Sequence, residues 1–184
     1  MPSFYQKLTQ GVLVAGCIIA AAPPAWATSF TINSGETVTT LQTLVDNETG
    51  LIVSGGFLNV TSAAAVQLSG DNTTITNNGT INVTGASVEA ILQGGNATII
   101  NNGTINADSL LAGDDVGTQA TLFLSGANNV VINNGSINTS GKQSDAVDNR
   151  GDFLIFTNNG SITTTGVSSE AFFVRGDNSV YNNL

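Results

Sequence analysis

From residue 63 onward, short apolar runs alternate with short runs of Asn, Gly, Asp, Thr and Ser, and the alternation returns in a fixed order. Four segments align: ITNNGTINVTG (75–85), IINNGTINADS (99–109), VINNGSINTSG (131–141) and FTNNGSITTTG (156–166). Their shared triplets are Asn77-Asn78-Gly79, Asn101-Asn102-Gly103, Asn133-Asn134-Gly135 and Asn158-Asn159-Gly160, and a fifth begins at Asn182-Asn183 with Leu184 in place of the expected Gly. The triplets start at positions 77, 101, 133, 158 and 182, in steps of 24, 32, 25 and 24. The long step contains LLAGDDVGT (110–118), which reads as a loop inserted into one unit. About seven positions before each triplet stands a second punctuation: Gly70-Asp71-Asn72, Gly95-Asn96, Gly126-Ala127-Asn128, Gly151-Asp152 and Gly176-Asp177-Asn178. The runs AVQLS (65–69), AILQG (90–94), TLFLS (121–125) and AFFVR (171–175) precede four of them and have the residue types of strands.

One unit is therefore strand, Gly-Asp/Asn turn, strand, Asn-Asn-Gly turn, strand, and a Thr/Ser-Gly turn. Three strands of four or five positions in about 24 leave no room for a helix and predict one coil of a three-sided parallel β-helix, with a repeat at near-constant period. Stacking in register turns equivalent residues into columns. Ile81, Ile105, Ile137 and Ile162 form one inward column, and Ile75 with one member each of Ile99/Ile100, Val131/Ile132 and Ile155/Phe156 forms another. Asn-Asn-Gly is expected to make a sharp corner through left-handed backbone, and its asparagines to hydrogen-bond coil to coil. A hairpin meander is the competing fold for Asn-Gly turns, but it does not require one triplet at constant steps. The domain reading is residues 28–62 as a cap and first coils and 63–184 as repeats, cut off within the fifth triplet.

Residues 1–27 break this pattern. A polar start ending at Lys7, an apolar run from Gly11 to Ala22 and Ala25-Trp26-Ala27 read as a cleavable export signal, cut before Thr28. Ala25 and Ala27 are the small residues of the cleavage site, and a dozen apolar residues fall short of the roughly 20 that span a bilayer. A lipoprotein box at Val14-Ala15-Gly16-Cys17 is the alternative, although apolar residues continue past Cys17.

Composition narrows the function. The 184 residues include 82 Asn, Thr, Ser or Gly, with 9% charged, no His, one Cys and a net charge of −9. Three cations after residue 27 do not build an electrostatic nucleic-acid surface, so no nucleic-acid partner is expected. The missing His and single Cys exclude the usual zinc, copper, haem and iron–sulfur ligand sets, and imidazole-based catalysis, so no metal site and no cofactor are expected.

Ser29–Thr61, with Gln42-Thr43-Leu44, Glu48-Thr49-Gly50 and Gly55-Gly56-Phe57-Leu58-Asn59-Val60, resembles the start of a bacterial autotransporter passenger, and the units that follow are similar to the stalks of those proteins. The resemblance implies a right-handed parallel β-helix exported to the surface of a Gram-negative cell and joined to the outer membrane by a C-terminal β-barrel, which this sequence does not contain. It implies display or adhesion at a host-cell surface or matrix, without catalysis.

Two other classes remain open at this level. A carbohydrate-active β-helix needs paired acids, and Asp114-Asp115 in the insertion or Asp145, Asp148 and Asp152 are the candidates. The plainer reading is turn-forming, solubilising Asp. A surface binder of ice or crystals needs a regular hydroxyl ladder, for which Thr80, Thr104, Ser136 and Ser161 are too mixed and too unevenly spaced. Arg150-Gly151-Asp152 and Arg175-Gly176-Asp177 spell a receptor tripeptide twice, yet both copies fall on the turn present in every unit. Of ten Asn-x-Ser/Thr sequons, those on the repeat's own Asn-Asn-Gly and Ile-Asn positions are by-products of the repeat, and none receives a role.

Overall fold

The computed structural model describes residues 29–61, 63–86, 89–109 and 119–184, leaving aside the side chains of Ser109 and Gln119. The strands come in triplets, one triplet per coil. They are β1 (Phe30–Ile32), β2 (Thr37–Val38) and β3 (Gln42–Leu44); β4 (Thr49–Ile52), β5 (Phe57–Thr61) and β6 (Val66–Leu68); β7 (Thr73–Asn77), β8 (Thr80–Gly85) and β9 (Ile91–Gln93). Then follow β10 (Ala97–Asn101), β11 (Thr104–Ser109) and β12 (Gln119–Leu124); β13 (Val130–Asn133), β14 (Ser136–Ser140) and β15 (Ser144–Asn149); β16 (Ile155–Asn158), β17 (Ser161–Thr164) and β18 (Phe172–Val174); and β19 (Val180–Asn183).

Each strand pairs in parallel with its counterpart one coil away, giving sheets β1-β4-β7-β10-β13-β16-β19, β2-β5-β8-β11-β14-β17 and β3-β6-β9-β12-β15-β18. The protein is a three-sided parallel β-helix. Along the first sheet, paired positions in successive coils differ in number by 20, 25, 24, 32, 25 and 25. The expected fifth triplet is thereby corrected by one residue: Asn183, not Asn182, holds the place of Asn158, and Leu184 follows it in the place of Asn159. No helix among the described residues is long and apolar enough to cross a membrane.

Strand alternation decides what fills the cylinder. In the second sheet Leu58, Ile81, Ile105, Ile137 and Ile162 stack in register, the first four fully buried and Ile162 packed against the core from its partly exposed coil. In the first sheet the inward column is Phe30, Gly50, Ile75, Ile99, Val131, Phe156 and Tyr181. Ile100, Ile132 and Ile155 thus face outward. Phe30 lies over Gly50, where a Cβ would come within 2.5 Å of its ring, so a large residue fills the space a small one leaves. Towards the last coils aromatic rings take over, with Phe156 edge-on to Phe172 at 4.8 Å and Tyr181 5.5 Å from Phe172.

The corners correct one expectation. No residue of the four Asn-Asn-Gly triplets has positive φ. Left-handed backbone falls instead at Asn47, Asn72, Asn128, Phe153 and Asn178, in the turns leading from the third sheet back to the first, at Gln143 and Ser168 in turns leading from the second sheet to the third, and at Gly35 and Gly55 in the first two coils; Gly85 and Gly141 also have positive φ. Those two coils turn from first to second sheet over positions 33–36 and 53–56, and Glu36 closes the first such turn by accepting the Asn33 N–H at 2.8 Å. From the third coil the corner shortens to the Asn-Gly pair alone, and its Gly serves another purpose. A Cβ on Gly103 would lie 2.1 Å from the Gly79 carbonyl oxygen, and one on Gly135 2.0 Å from that of Gly103. Glycine is there because consecutive corners touch backbone to backbone.

Candidate functional site

The polar side chains singled out by the repeat are arranged mainly as ladders. Ile75 and Asn77 are two positions apart on one strand, so both point inward, and the first Asn of each of the four complete triplets is buried. Asn77 Nδ2 donates to Asn101 Oδ1 at 2.8 Å, Asn101 to Asn133 at 2.8 Å, Asn133 to Asn158 at 2.7 Å and Asn158 to Asn183 at 2.8 Å. The first three also donate to the carbonyls of Thr104, Ser136 and Ser161, closing the corner of the next coil. Ile32 and Ile52 hold the same column in the first two coils.

The second Asn of each triplet forms a parallel outer ladder whose bonds run the other way. Asn102 donates to Asn78, Asn134 to Asn102 and Asn159 to Asn134, at 2.7–2.8 Å. A third ladder, not anticipated from the triplets, joins Asn59, Asn82, Asn106 and Asn138 on the outer face of the second sheet. Coil-to-coil hydrogen bonding by identical asparagines is thus found in three files, and also where Asn72 donates to Asn47 at 3.4 Å.

Both Arg-Gly-Asp tripeptides are built into the stack. Arg150 grips the fully buried Asp148 through Nε at 3.0 Å and Nη2 at 2.8 Å, with its guanidinium 4.4 Å from the centre of the Phe123 ring. Arg175 lies over Phe173 at 4.6 Å. Asp152 accepts the Asp177 N–H at 2.8 Å, and a Cβ on Gly176 would lie 1.9 Å from the Gly151 oxygen. In the first copy, a carboxylate that caps the next coil and a guanidinium paired with an acid and a ring do not form a free loop; in the second, the Arg175 and Gly176 N–H groups donate to the Asn149 carbonyl while the side chains of Arg175 and Asp177 are exposed.

The acids of the fifth coil separate. Asp148 stands in the outward file between Phe123 and Phe173, and its Oδ1 is buried with no hydrogen-bond partner among the described residues. Asp145 pairs in register with Ala120, is 6% exposed, and accepts the Glu170 N–H at 2.8 Å. Burial pushes its carboxyl above the usual range, the hydrogen bond from Glu170 N–H opposes this, and the charges of Glu170 and Asp148 add to the rise. Asp152 lies in the next corner, exposed. Among the described residues, no three acids or thiols converge into a metal cage. Thr80, Thr104, Ser136 and Ser161 do stack in register. A hollow of about 230 Å³ opens at the turn between third and first sheets, lined by Asn72, Thr73, Thr74, Asn96, Ala97, Thr98 and Asn128. Ala25, Ala27, Thr28, Cys17, Asp114 and Asp115 lie outside the described residues.

Sequence reasoning did not find β15, whose SDAVDN is polar yet buried at all six positions, or the inward Gln93 and Asn149. Period-two counting from Val147 signals Asn149; nothing local signals Asp148, whose burial is supplied by other coils. Comparison with known proteins adds no relative: no family model, no curated protein and no solved structure matches the sequence.

Proposed function

We propose that this protein is the stalk of an autotransporter-like surface protein of a Gram-negative bacterium, exported by the segment 1–27, serving display or adhesion and carrying out no catalysis. The carrying observation is that the motif side chains are committed to the coils above and below them, in asparagine ladders, an Asp-capped turn and the stack of Arg150 on Phe123. Such a stack lengthens by about 4.8 Å per coil, so seven levels of the first sheet make a rod section of about 30 Å. Its partners are the outer membrane, through the β-barrel the resemblance implies, and a host-cell or matrix surface; no nucleic acid is among them.

Expression of the full sequence in a Gram-negative host tests this reading. The expected product begins at Thr28, is found outside the cytoplasm, and coats beads so that they adhere to cells or matrix polymers. Retention in the cytoplasm, or a lipid on Cys17, overturns it. A carbohydrate-active enzyme is the second reading, and Asp145 is what favours it: burial raises its carboxyl and the charge of Glu170 adds to the rise, and a raised carboxyl is what a glycosidase acid requires. Release of reducing ends or unsaturated products from pectin, alginate or hyaluronan, lost on Asp145→Asn, would put the enzyme in place of the stalk.

A further inference from the structure

The four triplets contain four Asn-Gly dipeptides, the sequence in which a backbone nitrogen can most easily attack the preceding side chain because glycine places nothing in its way. We propose that the solenoid shields Asn102 and Asn134 from this reaction and leaves Asn159-Gly160 as a self-modification site. In the reaction the Gly160 nitrogen loses its proton and bonds to Asn159 Cγ, the bond from Cγ to Nδ2 breaks, and ammonia leaves. Water then opens the resulting succinimide at either carbonyl, giving aspartate or isoaspartate, so the net change is one water consumed and one ammonia released.

Two restraints separate the sites. The first is on the nucleophile. Gly103 N–H donates to the Asn77 carbonyl and Gly135 N–H to the Asn101 carbonyl, both at 3.0 Å, while Gly79 N–H donates to Asn77 Oδ1 at 3.1 Å. Gly160 N–H donates to nothing among the described residues, although Asn159 N–H and Ser161 N–H on either side bond to Asn133 and Gly135. The second restraint is on the carboxamide. Asn102 and Asn134 are each gripped from both sides, donating to one coil and accepting from the next. Asn159 donates to Asn134 at 2.7 Å, but the residue that stacks over it is Leu184, whose side chain has no donor for its Oδ1. Both Asn159 and Gly160 are exposed to the water the reaction consumes.

The product alters the corner that made it. A carboxylate at 159 loses the Nδ2 donor and sets oxygen against Asn134 Oδ1. Isoaspartate adds a backbone atom to a corner made only of the Asn-Gly pair, between Asn158 and Ser161, whose flanking strands are held in register by Asn133 and Ser136. The corner between β16 and β17 therefore carries a chemical mark of age, at a position where a lost rung loosens the stack.

Peptide mapping of the folded full-length protein during incubation at mildly alkaline pH tests this. Asn159 is expected to convert faster than Asn102 and Asn134 by roughly tenfold, the factor corresponding to one hydrogen bond of ordinary net strength, and this gap is expected to close in denaturant. Leu184→Asn, which supplies a donor above Asn159, is expected to slow its conversion. Equal native rates at the three sites, a gap that persists in denaturant, or an unchanged rate in Leu184→Asn overturns the proposal.

Discussion

Asn101 and Asn102 are neighbours of one kind in one triplet, yet they do different work. Asn101 is 1% exposed, donates to Asn133 and to the Ser136 carbonyl, and accepts from Asn77. Its removal strands buried polar groups on both adjacent coils, and each such group costs about 1–3 kcal/mol. Asn101→Ala is therefore expected to lower unfolding free energy by about 2–4 kcal/mol. Asn102 bonds only at the exposed edge, where water replaces what is lost, so Asn102→Ala is expected to cost less than about 1 kcal/mol. Denaturant titration of both variants checks the contrast; equal losses would mean that the inner ladder contributes no more than the outer. Phe153 shows the opposite situation, a bulky residue at φ 59° with 52% exposure where four other coils place Asn. Its backbone N–H nevertheless makes the same bond as Asn128, to the Asp carbonyl one coil on, at 2.9 Å.

At the scale of the corner, contact between coils rather than dihedral freedom sets the sequence. A Cβ on Gly103 would stand 2.1 Å from backbone, which no rotamer relieves, so β10–β11 would have to move away from β7–β8. Gly94 lies in the other turn and would meet only the Leu68 oxygen at 3.9 Å, with φ outside the left-handed region. Gly103→Ala is expected to cost about 3 kcal/mol or more and Gly94→Ala within about 0.5 kcal/mol. Thermal unfolding of the two variants distinguishes this account from one in which glycine contributes only flexibility, since that account makes the two losses similar. The corner motif was legible in the sequence as a corner. Why it contains glycine was not, because the clash is with Gly79, a full coil away in sequence.

For the whole molecule, stability is summed coil by coil across neighbouring interfaces, and acids buried between coils make that sum depend on pH. Burial raises the carboxyls of Asp145 and Glu89. Between the ordinary carboxylate value and the raised one, the native state holds more protons than the unfolded state, so stability falls as pH rises through that window, and the loss is complete once both are ionised. Asp145→Asn keeps Oδ1 for the Glu170 N–H and removes the charge. It is expected to raise the melting temperature at neutral pH and to leave it unchanged below about pH 3.9, where the unfolded Asp is itself neutral. A gain of equal size at both pH values would place its origin in packing instead.

The repeat period, the three strands per coil, the inward isoleucines at 81, 105, 137 and 162 and the stacking of like asparagines all follow from the sequence, because a solenoid writes each long-range contact as a recurrence at fixed spacing. The choice between Ile99 and Ile100, the opposite roles of the two asparagines in each triplet, the burial of Asp148 under Arg150 and the commitment of both Arg-Gly-Asp motifs to the stack were decided by the tertiary structure alone. Those depend on which way a side chain faces and on what the next coil sets about 4.8 Å above it, and strand register fixes both.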